Sequence, residues 1–278
     1  MRVVLVQPDV VWEDRAANLA RVRTLLEADP PTPGSLVVLP EMFAVGFSMN
    51  VDAICEGPDR PTERFLADLA RRYGVCVLGG VVTRTADGRG LNEALAVGPE
   101  GRVRARYAKL HPFRYAGETA HYDPGHTLAL FDWQGARVAP FICYDLRFPE
   151  VYRAATARGA TVLVTIANFP TVRVDHWRQL LIARAIENQA YVVGVNRCGA
   201  DPNVDYPGRS LVVDPKGTVL VDLGAGEGVA AAVLDLEALA AYRAAFPALQ
   251  DMRPDFVPAL AERGMHEGGG RDESRAPA

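Results

Sequence analysis

The strongest constraint on the fold is a recurrence of short β-branched runs, each bounded by turn residues. They lie at 2–7, 36–39, 75–83, 93–97, 103–108, 128–131, 136–142, 161–166, 191–196, 210–214, 218–221 and 229–233. These twelve runs read as strands. Between several of them the apolar spacing changes to that of a helix: 14–28 carries Leu19, Val22, Leu25 and Leu26, and 62–73 carries Phe65, Leu66, Leu69 and Tyr73. Another helix is expected to begin near Pro149, where proline suits the first turn, and one over 174–189 carries Trp177, Leu180, Leu181 and Ala185. Strands alternating with helices predict an α/β fold.

Two segments share the pattern V-x-P-x-G-x-V: "AVGPEGRV" at 96–103 and "VVDPKGTV" at 212–219. Proline presets the first central turn position and glycine accepts the left-handed one, so each reads as a hairpin tip. One such hairpin in each half of the chain is compatible with two related sheets or with a shared turn type alone. No Pro/Gly/Ser-rich linker interrupts 1–260, so the reading is one domain over 1–264. The glycine-rich, patternless 265–278 is expected to be a disordered tail.

With 49% hydrophobic and 23% charged residues the 278-residue chain can bury a large core, and a mainly disordered chain is excluded. The net charge of −4, with dispersed Lys and Arg, offers no footprint for nucleic acid or an anionic membrane, so the expected partner is a small molecule. Cys55, Cys76, Cys143 and Cys198 form no disulfide framework and no zinc-ligand spacing, which implies a reducing compartment. The N-terminal apolar run ends at Gln7 and Pro8, too soon for a signal peptide, and no run of about 18 apolar residues could span a membrane. A cytoplasmic location is expected.

Three residues fall just past strand ends, where α/β folds place their ligand sites. Glu41 follows "SLVVLP", Lys109 follows the 103–108 run, and Cys143 follows 136–142. Each has a plain alternative: a solvated glutamate, a surface lysine, and a cysteine packed as a small apolar residue. Together they supply what amide hydrolysis by a thiol needs, namely a nucleophile, a carboxylate to move protons and a cation for the developing oxyanion.

The stretches "LPEMFAVGF", "YAKLHPF" and "ICYDLRFPE", with "ANFP", "HWRQLLIARAIENQAYVVGVNRCG" and "GRSLVVDPKG", resemble the nitrilase, or carbon–nitrogen hydrolase, superfamily over about residues 2–255. "EMFAVGFSM", "GETAHYDPG" and "CYDLRFPE" are most similar to its ω-amidase branch, which acts on 2-oxo acid amides. The resemblance implies a four-layer α-β-β-α sandwich of two six-stranded sheets, and a homodimer packed through the helices near 149–158 and 174–189. It also implies that Glu41, Lys109 and Cys143 meet in space and hydrolyse a small carboxylate-bearing amide without a cofactor or metal.

Cys143 is then the nucleophile, attacking as a thiolate favoured by Lys109, and Glu41 is the proton carrier. Lys109 and the Tyr144 backbone N–H are the oxyanion partners. Glu118 matches a second glutamate of the pattern and either orients Lys109 or shares proton work. Arg147 either holds a substrate carboxylate or forms an ion pair with Asp145, Glu150 or Glu187. Phe43, Phe47 and Phe169 either wall the pocket or belong to the core. Among alternative activities are an N-carbamoyl amino acid amidohydrolase and an amidase of deaminated glutathione. A catalytically silent binding module of the same fold is the alternative from another class.

Overall fold

In the computed structural model, which describes residues 1–257 and 259–262, the twelve strands of the two large sheets are β1 (Arg2–Gln7), β2 (Leu36–Val38), β3 (Cys76–Arg84), β4 (Gly90–Val97), β5 (Val103–Ala108), β6 (Phe131–Trp133), β7 (Ala136–Ile142), β8 (Val162–Ala167), β9 (Tyr191–Asn196), β10 (Leu211–Val213), β11 (Val219–Asp222) and β12 (Gly228–Val233). They form two six-stranded sheets, ordered β12-β1-β2-β3-β4-β5 and β6-β7-β8-β9-β10-β11. The period-2 alternation of a strand decides which face each residue serves. In β1 and β2, Val3, Leu5, Leu36 and Val38 join the core between the sheets, while Val4, Val6 and Val37 join a second core beneath the outer helices. Cys76 faces the inner core, and burial pushes its thiol up to about 12.

Helices α1 (Arg15–Ala28) and α2 (Pro61–Tyr73) cover the first sheet. The Asp14 side chain accepts from Ala17 N–H at the start of α1, and α2 runs from Pro61 to a left-handed Gly74. Helices α3 (Pro149–Ala157) and α4 (Val174–Asn188) pack side by side over the second sheet, completing four layers. A further helix, α5 (Leu236–Ala245), begins at an Asp235 cap and was not expected from the apolar spacing. No helix among the described residues is long and apolar enough to cross a membrane.

The two sheets repeat one another. Read from β12 and from β6, neighbouring strands pair antiparallel, parallel, parallel, antiparallel, antiparallel in both. The two V-x-P-x-G-x-V segments join β4 to β5 and β10 to β11, with left-handed Gly101 and Gly217 at the tips. Both ladders shift register at the same point of the motif, between Ala96 and Val97 and between Val212 and Val213. The shared turn therefore belongs to a shared architecture. One strand assignment is corrected: the apolar run 128–131 divides, with Thr127–Leu128 pairing outside the large sheets and Phe131–Trp133 forming the edge strand β6. The run has no polar alternation to mark where one pairing stops. The expected tail, 265–278, lies outside the described residues.

Candidate active site

Glu41, Lys109 and Cys143 sit just beyond β2, β5 and β7, and the packing of the two sheets gathers them in one place. Glu41 is fully buried, and each of its oxygens is occupied. Oε1 accepts from Lys109 Nζ at 2.8 Å and Asn92 Nδ2 at 2.7 Å, and Oε2 accepts from the Asn168 backbone N–H at 2.8 Å and Asn168 Nδ2 at 3.1 Å. The segment reaches this position because β3 passes it at Gly80. A Cβ there would lie 2.2 Å from the Met42 nitrogen and 2.7 Å from Glu41 Cα.

Lys109 is held from the other side by Glu118, at 2.9 Å to Oε2 and 3.1 Å to Oε1, so the fully buried Glu118 is an ion-pair partner of the lysine. The Asn92 amide also reaches Glu118 Oε1 at 2.9 Å and so bridges the two carboxylates. The Phe47 ring centroid lies 5.2 Å from Lys109 Nζ, within cation–π range.

Cys143 opens a short 3-10 turn, Cys143–Arg147, with φ +47. That region is unfavourable for a non-glycine residue, of order 1–3 kcal/mol, and persists where surrounding structure enforces it. The thiol sulfur lies 3.9 Å from the Asn168 carbonyl oxygen, and Glu41, Lys109 and Glu118 all act on it electrostatically.

Burial, charge and hydrogen bonding together decide the protonation states. Burial raises the Glu41 carboxyl, but the Lys109 charge and the hydrogen bonds from Lys109, Asn92 and Asn168 outweigh it and hold it below the ordinary value. Burial disfavours the Lys109 ammonium, yet Glu118 and Glu41 keep it charged well above the usual lysine range. At Cys143, burial and the Glu41 charge overcome the pull of Lys109, so its pKa lies well above the ordinary cysteine value. The sulfur is therefore held as a thiol, beside an ionised carboxylate placed to take its proton.

The thiol opens into a cavity lined by Phe47, Tyr144, Arg147, Phe169, Arg173 and Tyr206, among others. Arg147 makes none of the ion pairs considered from the sequence. Asp145 is taken by Ile142, Tyr107 and His111, and Glu187 by Arg184. The polar partner of Arg147 is His176 Nδ1 at 3.1 Å, with the Phe169 ring 5.8 Å from its guanidinium carbon. Phe43 is the residue that does not belong here. It is fully buried under α2, its ring 6.2 Å from that of Phe65, because its segment turns it toward the helix layer.

Sequence reasoning missed Asn92, Asn168 and Arg173. Asn92 is buried inside strand β4, and a polar amide in such a strand was the available signal. Arg173, with its guanidinium carbon 5.5 and 5.9 Å from the Phe113 and Tyr115 ring centroids, had none. Among the described residues no group of three or more His, Cys, Asp or Glu side chains could hold a metal ion.

A family model described as carbon–nitrogen hydrolase matches residues 2–244. The omega-amidase YafV of Yersinia enterocolitica is 40% identical over 253 residues, 90% of this chain and 96% of that protein. The 2-oxoglutaramate amidase of Bacillus subtilis (strain 168) is 33% identical over 251 residues, again 90% and 96%. The crystal structure of XC1258 from Xanthomonas campestris, a CN-hydrolase superfamily protein with an arsenic adduct in its active site, superposes with a TM-score of 0.84 at 37% identity, covering 91% of this chain and 97% of that one. A mutant amidase from Nesterenkonia sp. AN1, carrying the product of acrylamide addition at its active-site cysteine, gives 0.76 at 26% identity over 89% and 98%.

Proposed function

The chain belongs to the carbon–nitrogen hydrolase family, and from that premise we propose that it is a thiol amidase of ω-amidase type, releasing ammonia from a short 2-oxo acid amide such as 2-oxoglutaramate or 2-oxosuccinamate. The observation that carries the reading is the buried Glu41–Lys109–Glu118 cluster beside a strained cysteine at the floor of an arginine-lined cavity. The amide-specific substrate class follows the names of the two relatives.

As the Cys143 sulfur bonds to the amide carbon, its proton passes to Glu41, whose depressed pKa keeps it ionised and ready to accept. The oxyanion is met by the Lys109 ammonium and the Tyr144 N–H. When the C–N bond breaks, Glu41 returns the proton to the leaving nitrogen, giving ammonia and a thioester. Glu41 then takes a proton from water as the water oxygen attacks the thioester, and the thiol is regenerated with release of the acid. Glu118 keeps Lys109 oriented, and Arg147 holds the substrate carboxylate. The enzyme is further proposed to be cytoplasmic and to dimerise through α3 and α4, which lie together on one outer face.

An ammonia-release screen across 2-oxo acid amides, N-carbamoyl amino acids, deaminated glutathione and nitriles tests the proposal. The 2-oxo acid amides are expected to turn over fastest. Cys143→Ala should fold and release nothing, and iodoacetamide should label Cys143 before the core residue Cys76. Equal turnover by Cys143→Ala would end the thiol mechanism, and no turnover of any substrate by the wild-type chain would favour a silent binding module.

A further inference from the structure

Asp145 takes no part in the chemistry just described, yet it is fully buried two residues beyond Cys143, and both its oxygens are committed to the frame of the site. Oδ2 accepts from the Ile142 N–H at 3.0 Å and from the Tyr107 hydroxyl at 2.8 Å. Oδ1 accepts from the His111 N–H at 3.0 Å and from His111 Nδ1 at 2.8 Å. Ile142 is the residue before the nucleophile. Tyr107 and His111 stand two residues to either side of Lys109. One side chain therefore grips the entrance to the cysteine turn and both flanks of the lysine. The grip is braced by the His111 ring, which stacks on Phe148 at 3.7 Å with 8° between the planes, and by the Phe148 N–H, which donates to the Asp145 carbonyl at 3.0 Å.

We propose that Asp145 is a positioning residue that locks the Cys143 turn to the Lys109 segment, fixing the separation of thiol and ammonium through acylation and deacylation. The proposal rests on the reading of Cys143 as nucleophile and Lys109 as oxyanion partner. A bound frame is needed here because Cys143 occupies a left-handed conformation that its own side chain does not favour. A carboxylate is needed because it presents acceptors on both edges. An asparagine would turn its NH2 toward one edge. The Tyr107 hydroxyl or the His111 ring could reorient to suit it, but the Ile142 or His111 backbone N–H on that edge could not.

The test compares Asp145→Asn and Tyr107→Phe with wild type, with folding verified by circular dichroism. Loss of alignment acts in the transition state, so kcat of Asp145→Asn should fall at least about tenfold while KM for 2-oxoglutaramate stays unchanged. Alkylation of Cys143 by iodoacetamide, followed by mass spectrometry, should slow in Asp145→Asn. In a Lys109→Ala background, where there is no longer an ammonium to align, the same change should slow it no further. Wild-type kcat and alkylation in folded Asp145→Asn, or an equal slowing in both backgrounds, would overturn the proposal. Should Asp145→Asn fail to fold, Tyr107→Phe decides: a lowered kcat at constant KM supports the role, and wild-type kcat overturns it. If wild type releases ammonia from no amide, the amidase reading fails by itself, and the alkylation comparison still decides for Asp145.

Discussion

Replacing Lys109 with methionine keeps an unbranched side chain shorter by one atom and removes the charge that Glu41 and Glu118 share. The ammonium lies 2.8 Å from one carboxylate and 2.9 Å from the other, and all three side chains are at most 1% exposed, so solvent does not screen the loss. Removing one partner of a buried pair typically costs about 3–5 kcal/mol, because the charge left behind is uncompensated. Two such charges remain here, with the single Asn92 amide between them.

They cannot both stay ionised, so one carboxyl takes up a proton and its folded-state pKa moves above the unfolded one. The folded protein then binds more protons than the unfolded chain, and stability falls as pH rises from the ordinary glutamate value of 4.5 through the raised one. Urea unfolding followed by tryptophan fluorescence should therefore show the full deficit of about 3–5 kcal/mol near pH 8 and a smaller one near pH 5. Turnover should drop on the order of 100-fold. A Lys109→Met protein within about 1 kcal/mol of wild type at both pH values would show that the lysine does not compensate these carboxylates.

Because Glu41 is held below 4.5 and Lys109 above 10.5, kcat/KM should be flat across the neutral range, with its acid limb below 4.5; a limb between about pH 6 and 8 would assign the proton work to another group. The contribution of Glu41 to stability should likewise be present above 4.5 and vanish as pH falls through its depressed value, measurable by acid titration of the urea midpoint. Arg147→Lys keeps the charge but loses the planar fork, so KM should rise for 2-oxoglutaramate and stay constant for propionamide; unchanged KM for both places the carboxylate elsewhere. Gly80→Ala sets a methyl 2.2 Å from the Met42 nitrogen, so the Glu41 segment must shift; thermal melts should show a loss of about 1–3 kcal/mol with lowered ammonia release, and wild-type values in both would contradict that packing.

The strands were legible where β-branched runs are cut off by turn residues, as in β1, β8 and β9, since their pattern is local. The division of 128–131 was not, because only the pairing partners distinguish its two parts. The helix α5 escaped because it is mostly exposed, with only Leu239 buried, and so carries little apolar stripe. At the site, Glu41, Lys109 and Cys143 were legible through their places after strands and through the motifs around them. Their meeting was implied by the resemblance alone, because spacing along the chain says nothing of the relation between two sheets. Phe43 and Phe47, four residues apart, went to the helix layer and to the cavity respectively, a difference set by how the segment turns after β2. The thiol state of Cys143 likewise required the burial and the two neighbouring carboxylates to be known together.

The placement of β12 beside β1 has a consequence for how the chain is made. Arg2 pairs with Val233 and Gln7 with Gly228, so β1 waits for a strand far downstream in the chain before its outer edge is closed. Through that interval β1 offers a row of unsatisfied backbone groups flanked by valine and leucine, the kind of edge that recruits strands from other molecules. Contacts of such long sequence separation also form slowly, since the loop between them must be closed first. Chains halted before residue 228 keep that edge open and are expected to aggregate more readily than the full chain.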